Sequence, residues 1–272
     1  MLSALNNISQ LVAENALSST QASLQSTLTE LSTGLTTSGA GSNPAAVSIA
    51  DGLGVNIAAL TQSSQNASNG VGVLQTASGA LSQVTSLLNQ ATTIASEAAS
   101  GSLSTAQSTA LNTQFQSILT EITQIGSTTN FNGSSVFSAT PLTVYLTDGT
   151  TGGATTTSTT VGTLSATTLS LNSDTLSSST AAQTALAAIS AAVATVAASL
   201  GSIGASVNQL TADSSVENTE ITNLTAAQNN VQDADIGTTV SQMTEYNVLE
   251  QTGMAALSQA NSAQQNVLKL LQ

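Results

Sequence analysis

Residues Ile236 to Leu271 read IGTTVSQMTEYNVLEQTGMAALSQANSAQQNVLKLL. With Ile236, Val240, Met243, Asn247, Glu250, Met254, Leu257, Asn261, Gln264, Leu268 and Leu271 as rungs, the spacing alternates between four and three residues throughout. That rhythm places the rungs along one seam of a helix, and a sustained seam requires a partner helix. One residue follows the last rung, so the partner is expected from the other end of the chain or from another copy of it. Asn247, Glu250, Asn261 and Gln264 are polar rungs, which more often fix register and partner number than add stability. A sealed intramolecular bundle is the competing reading; against it, the N-terminal apolar stripe is too short to wrap the terminal helix.

That stripe consists of Leu17, Leu24, Leu28, Leu31 and Leu35, in a helix expected from Leu2 to Leu35. Thr33 to Gly41 is rich in Gly, Ser and Thr and reads as a linker. Asn43-Pro44 reopens a helix, Asn43 as N-cap and Pro44 at the first helical position. It should run to about Ala99, and its interior glycines (Gly52, Gly54, Gly70, Gly72, Gly79) imply close packing against neighbours. A shorter helix from Ser104 to Ile125 turns Leu111, Phe115, Ile118, Leu119 and Ile122 inward. Pro141 to Thr147 alternates like a strand, Asp148-Gly149 and Gly152-Gly153 are turn signals, and Val161 to Leu171 is expected as one or two weak strands. This gives a β-hairpin with a long, exposed, Ser/Thr-rich loop, either simply flexible or O-glycosylated. A four-three helical pattern returns from about Thr180 to Val231, and Asp233-Ala234-Asp235 separates it from the terminal ladder. The segments are therefore 1–40, 41–135, 136–179, 180–232 and 233–272. The fold class is mainly α: an elongated antiparallel helical bundle or coiled coil with paired terminal helices and a β-hairpin excursion.

Composition narrows the function. Of 272 residues, 40% are hydrophobic but only 2% aromatic, a supply that fills helix seams better than a broad core. Fourteen acidic residues face a single cation, Lys269, for a formal charge of −13. Nucleic acid and anionic membrane surfaces would be repelled. With no Cys, no His and no Arg, thiol and imidazole catalysis are absent, no convergent catalytic set is visible, and no cofactor is implied. Asp233 and Asp235 could suggest a metal pair, but two carboxylates without a third ligand are weak evidence, and helix capping suits them better. Asp51-Gly52-Leu53-Gly54 lacks the strand and Lys of a phosphate loop. No basic leader followed by an apolar run is visible near Met1, and no apolar run approaches a membrane span. Few carboxylates and one cation also suggest a protein suited to acidic surroundings, where the charge on Asp and Glu fades.

Several motifs, in order at both ends, resemble bacterial flagellin. They are Leu31-Ser32-Thr33-Gly34-Leu35, Asn66-Ala67-Ser68-Asn69-Gly70, Gln75 to Leu81, Phe131-Asn132-Gly133, Asp233-Ala234-Asp235, Val240 to Met243, Gln251-Thr252-Gly253, Ala256 to Asn261 and Gln265 to Leu271. The resemblance implies a structural subunit, not an enzyme, that self-assembles into an extracellular flagellar filament after export without a cleaved signal. It also implies an export chaperone, a filament cap and hook-junction proteins as partners. The terminal helices would pair as an inner tube, with the ladder and Leu17, Leu24, Leu28 and Leu31 as the polymerisation seam. Large outer domains have no room here. By motif alignment Gln90, Ile94 and Gln114 occupy the surface through which an innate immune receptor recognises many relatives, so weak receptor activation is expected. A hook–filament junction protein and a secreted coiled-coil adhesin are the rival readings.

Overall fold

The computed structural model describes residues 8–38, 43–147 and 154–270. Five helices carry it: α1 (Ile8–Thr33), α2 (Pro44–Ala99), α3 (Thr105–Thr128), α4 (Ser179–Gln232) and α5 (Ile236–Leu270). Four short strands lie between α3 and α4: β1 (Asn130–Phe131), β2 (Ser134–Ser135), β3 (Leu142–Thr147) and β4 (Ala154–Thr159). The expected start of the first helix at Leu2 and the expected turns at 148–149 and 152–153 lie outside the described residues.

The chain forms two units, residues 1–55 with 223–272 and residues 56–222, whose boundaries fall inside α2 and α4. The second unit holds the main core. There α2 and α4 run antiparallel: Ser63 bonds Glu217 near one end, and Ser179 Oγ donates to the Ala99 carbonyl (2.7 Å) at the other. Leu74, Leu81 and Leu88 of α2, Phe115 and Ile122 of α3, and Ile189, Val196 and Ile203 of α4 are buried together. α3 opens on a reciprocal capping box between Ser104 and Gln107, which satisfies two otherwise orphaned N–H groups. Two of the helices, α2 and α4, are long and apolar enough by composition to cross a membrane, with mean hydropathies of 1.3 and 1.9 over 18-residue windows. This corrects the expectation that no stretch approaches a span. Ala, Val and Leu interleaved with Ser and Thr raise the mean; Ile189, Val196 and Ile203 of α4 are buried in the core, whereas Ile49 and Val55 of α2 are exposed.

The hairpin differs from its expected form. β3 pairs antiparallel with β4, from Leu142 opposite Thr159 to Thr147 opposite Ala154, not with residues 161–171. β4 escaped notice because its buried face is made of Thr157 and Thr159, without apolar alternation. Val144 lies on the buried face of β3, where a Cβ on Gly70 of α2 would come within 2.6 Å of Val144 Cγ2. Nor is the following Ser/Thr-rich segment an exposed loop. Leu164, Ala166, Leu169, Leu171 and Leu176 are buried. It lies along α3, bonded through Thr123 to the Ala166 N–H (3.1 Å), Gln116 to the Asp174 carbonyl (2.9 Å), Asn112 to the Leu176 N–H (2.8 Å) and Ser108 to the Leu176 carbonyl (2.7 Å). A Cβ on Gly126 would sit 1.8 Å from the Leu164 carbonyl oxygen, so only glycine admits this approach. Residues 165–171 form one closed turn: Leu171 N–H donates to the Ala166 carbonyl (2.8 Å) and Ser170 N–H to that of Thr167 (3.0 Å). That is a Schellman closure with Ser170 at φ 60, where glycine is usual. The Leu spacing imitates a strand; the chain uses it to plug α3.

Candidate assembly surface

In the first unit the terminal helices run antiparallel. Gln21 Nε2 donates to Glu250 Oε1 (3.1 Å), and Leu17 Cδ1 lies 3.3 Å from where a Cβ on Gly253 would be. At the open end of the pair, Gly34 (φ 72) stops α1, and its carbonyl accepts from the Ala234 N–H (2.9 Å). The Thr36 N–H donates to the Gln232 carbonyl (2.7 Å), which makes Leu35 and Asp233 an antiparallel bridge. The motifs Leu31–Leu35 and Asp233–Asp235, at opposite ends of the sequence, are thus one joint. Asp235 then caps α5. Its carboxylate accepts from the N–H groups of Gly237 (3.0 Å) and Thr238 (3.2 Å) and from the Thr238 hydroxyl (3.0 Å). The Thr238 bonds, backbone first, and then the Gly237 bond hold this carboxyl below its ordinary range. Among the described residues no group of three or more acidic side chains is placed to hold a metal.

The rungs of the C-terminal ladder divide. Met243, Glu250 and Leu257 are half-buried, while Val240, Asn247 and Met254 are exposed, Met254 at 50%. The positions that share the covered face are Thr239, Tyr246, Gly253 and Ala260, completing a four-three series with Met243, Glu250 and Leu257. At 100° per residue, the Tyr246 series lies about 60° to one side of the shared rungs and the Val240 series about 60° to the other. The ladder therefore straddles the covered stripe and an uncovered flank. Ile236 is exposed, Asn261 is half-buried, and Asn247 turns its amide onto the Met243 carbonyl of its own helix (2.9 Å). The side chains of Gln264 and Leu268, and the whole of Leu271, lie outside the described residues.

α1 answers with the same rhythm. Gln10, Ala13, Leu17, Thr20, Leu24, Thr27 and Leu31 are covered positions three and four apart, continued by Gly34 just past the helix, and Ser23, Ser26, Thr29 and Glu30 are half-buried beside them. Sequence reading kept the leucines and missed the Ala and Thr between them. Leu28 falls off this series and is exposed, as are Ile8 at 72%, Leu11 and Val12 at 62%. On α5 Val248 and Leu249 join Ile236, Val240 and Met254 as exposed apolar side chains.

The family model described as the bacterial flagellin N-terminal helical region matches residues 5–141, and that of the bacterial flagellin C-terminal helical region matches residues 186–271. The chain belongs to the bacterial flagellin family. It is 32% identical over 248 residues to a flagellin of Halalkalibacterium halodurans, covering 91% of both chains. Flagellin 1 of Proteus mirabilis is 32% identical over 132 residues, which are 48% of this chain and 36% of that one. The crystal structure of Bacillus cereus flagellin superposes with a TM-score of 0.50 at 20% identity, over 56% of this chain and 88% of the other, and supports the fold. This flagellin is accordingly a structural subunit of the extracellular flagellar filament, and the paired α1 and α5 lie within the two matched regions.

Proposed function

We propose that this flagellin polymerises through the uncovered faces of its α1–α5 pair. The observation that carries the reading is the set of exposed apolar side chains on both helices, Ile8, Leu11, Val12 and Leu28 with Ile236, Val240 and Met254. A monomer in water gains nothing from such exposure, whereas burial in a polymer recovers about 25 cal/mol per Å² of apolar surface. Glu250, already bonded to Gln21, fixes register within the subunit. Asn247 and Asn261 are the polar rungs left to fix it between subunits. No catalytic step is assigned to the chain: its role is mechanical. An export chaperone, a filament cap and hook-junction proteins complete the assembly route.

Electron microscopy of purified protein after seeding tests this: fibres support it, and a persistent soluble monomer with ordered ends overturns it. Removal of residues 251–272 should abolish polymerisation yet leave the second unit helical by circular dichroism. The same family reading makes Gln90, Ile94 and Gln114 a substituted receptor surface. Gln90 and Gln114 are exposed and Ile94 packs against the core. Purified monomer should therefore activate a receptor-reporter cell weakly, and a full response would refute that.

A further inference from the structure

The end of the hairpin sits over a buried acid. Glu217 of α4 is only 5% exposed. Its Oε1 accepts from the Ser63 hydroxyl of α2, and Ser63 Oγ accepts in turn from the N–H of Thr147, the last residue of β3 (3.0 Å). Its Oε2 is buried and has no hydrogen-bond partner. A neutral carboxyl tolerates that position far better than a carboxylate, which leaves a charged oxygen without a donor. Leu146, itself buried, lines with Thr147 and Glu217 a recess of about 250 Å³ beside α4. The other polar ties of the strand pair here are side-chain bonds that water can replace: Asn66 to the Tyr145 carbonyl (3.2 Å) and Gln209 to the Thr157 hydroxyl (3.4 Å). By contrast, α2 and α4 join directly beside them, through the hydroxyls of Ser64 and Ser214 (2.9 Å).

We propose that Glu217 is a proton-operated latch for the end of the hairpin: while the acid is protonated, Leu146 and Thr147 stay docked on α2 and α4, and when it ionises they lift and admit water to the carboxylate. Such a local opening leaves the helices packed. Burial raises the Glu217 carboxyl, the Ser63 bond opposes the rise, and the charges of Asp213 and Glu220 add to it. Lifting the strand end wets the acid and returns it toward its ordinary 4.5. Docking is therefore complete below that value, weakens as pH rises through the higher docked one, and levels off above it. Few groups face the acid. Asp213 and Glu220 lie on α4 itself, α2 has no charged residue from 52 to 96, and β3 and β4 have none. Tyr145 of β3 is 59% exposed, and Asp148 lies outside the described residues.

The test is hydrogen exchange of the full-length, unseeded protein from about pH 5 to pH 8, read as protection factors so that the intrinsic pH dependence of exchange is removed. The Thr147 amide reports the latch, and the amides of Leu74 and Leu81 report the core. Protection at Thr147 should fall by up to about tenfold per pH unit, the limit for one proton, and then level off, while the core amides hold. Glu217→Gln should keep Thr147 protection flat with pH. Asp213→Asn, at a half-buried position that spares the fold, should move the fall to lower pH. Wild-type protection that is flat with pH would overturn the proposal, as would a fall shared equally by the core amides. So would a fall that persists in Glu217→Gln, or one that Asp213→Asn leaves in place.

Discussion

Single residues carry most of the polar logic here, because ion pairs are scarce in a chain with one cation. Glu217 is the clearest case. Its carboxyl is raised above the ordinary 4.5, chiefly by burial, so folding favours the protonated form. That contribution is complete below the unfolded value and is lost as pH rises through the higher folded one. Charged neighbours facing it are Asp213 and Glu220 on α4; Ser63 on α2 and Thr147 on β3 are uncharged, and Asp148 lies outside the described residues. Glu217→Gln should remove a fall in stability between acid and neutral pH, read from urea unfolding at several pH values. Ser170 is a second case: its φ of 60 costs a non-glycine residue on the order of 1 kcal/mol. Ser170→Gly should raise unfolding stability by about 0.5–1 kcal/mol, since part of that gain is returned as glycine's chain entropy.

At the scale of elements, helix existence was legible and helix partnership only half so. Asn43 caps α2 through the Ala45 N–H (3.0 Å), and Pro44 opens it, as their order in sequence requires. The ladder of α5 was also visible, but reading only large side chains mixed two flanks, because Thr239, Gly253 and Ala260 carry little hydrophobic signal yet face α1. Similarly, β4 and the loop on α3 were hidden. Threonine can line a buried strand face, and the polar set Ser108, Asn112, Gln116 and Thr123 on α3 was the one hint that a backbone lay beside it. The α5 cap gives a prediction at this scale. Asp235→Ala should speed amide exchange at Gly237 and Thr238 and loosen the first turn of α5. In the wild type the same loosening should appear as pH falls through the lowered carboxyl value, the sign expected of a depressed acid.

For the whole molecule the dominant electrostatic fact is a formal charge of −13 with one basic residue. Copies brought together in a polymer repel one another at neutral pH, and the repulsion is screened by salt. Polymerisation should therefore begin at lower protein concentration at pH 5 than at pH 8 in low salt, with the gap closing in high salt. Sedimentation of seeded samples measures it, and assembly that improves steadily as pH rises from 4 to 8 would contradict it. The joint at Leu35 and Asp233 has a temporal consequence. Gln21 meets its partner Glu250 across 229 positions of sequence, so α1 cannot be covered until almost the entire polypeptide is present. Contacts of such high order form late and close the largest loop the chain has. The second unit, whose pairings are more local, can be complete while both ends remain unpaired. The subunit thus carries its own delay, keeping its adhesive helices the last part to mature.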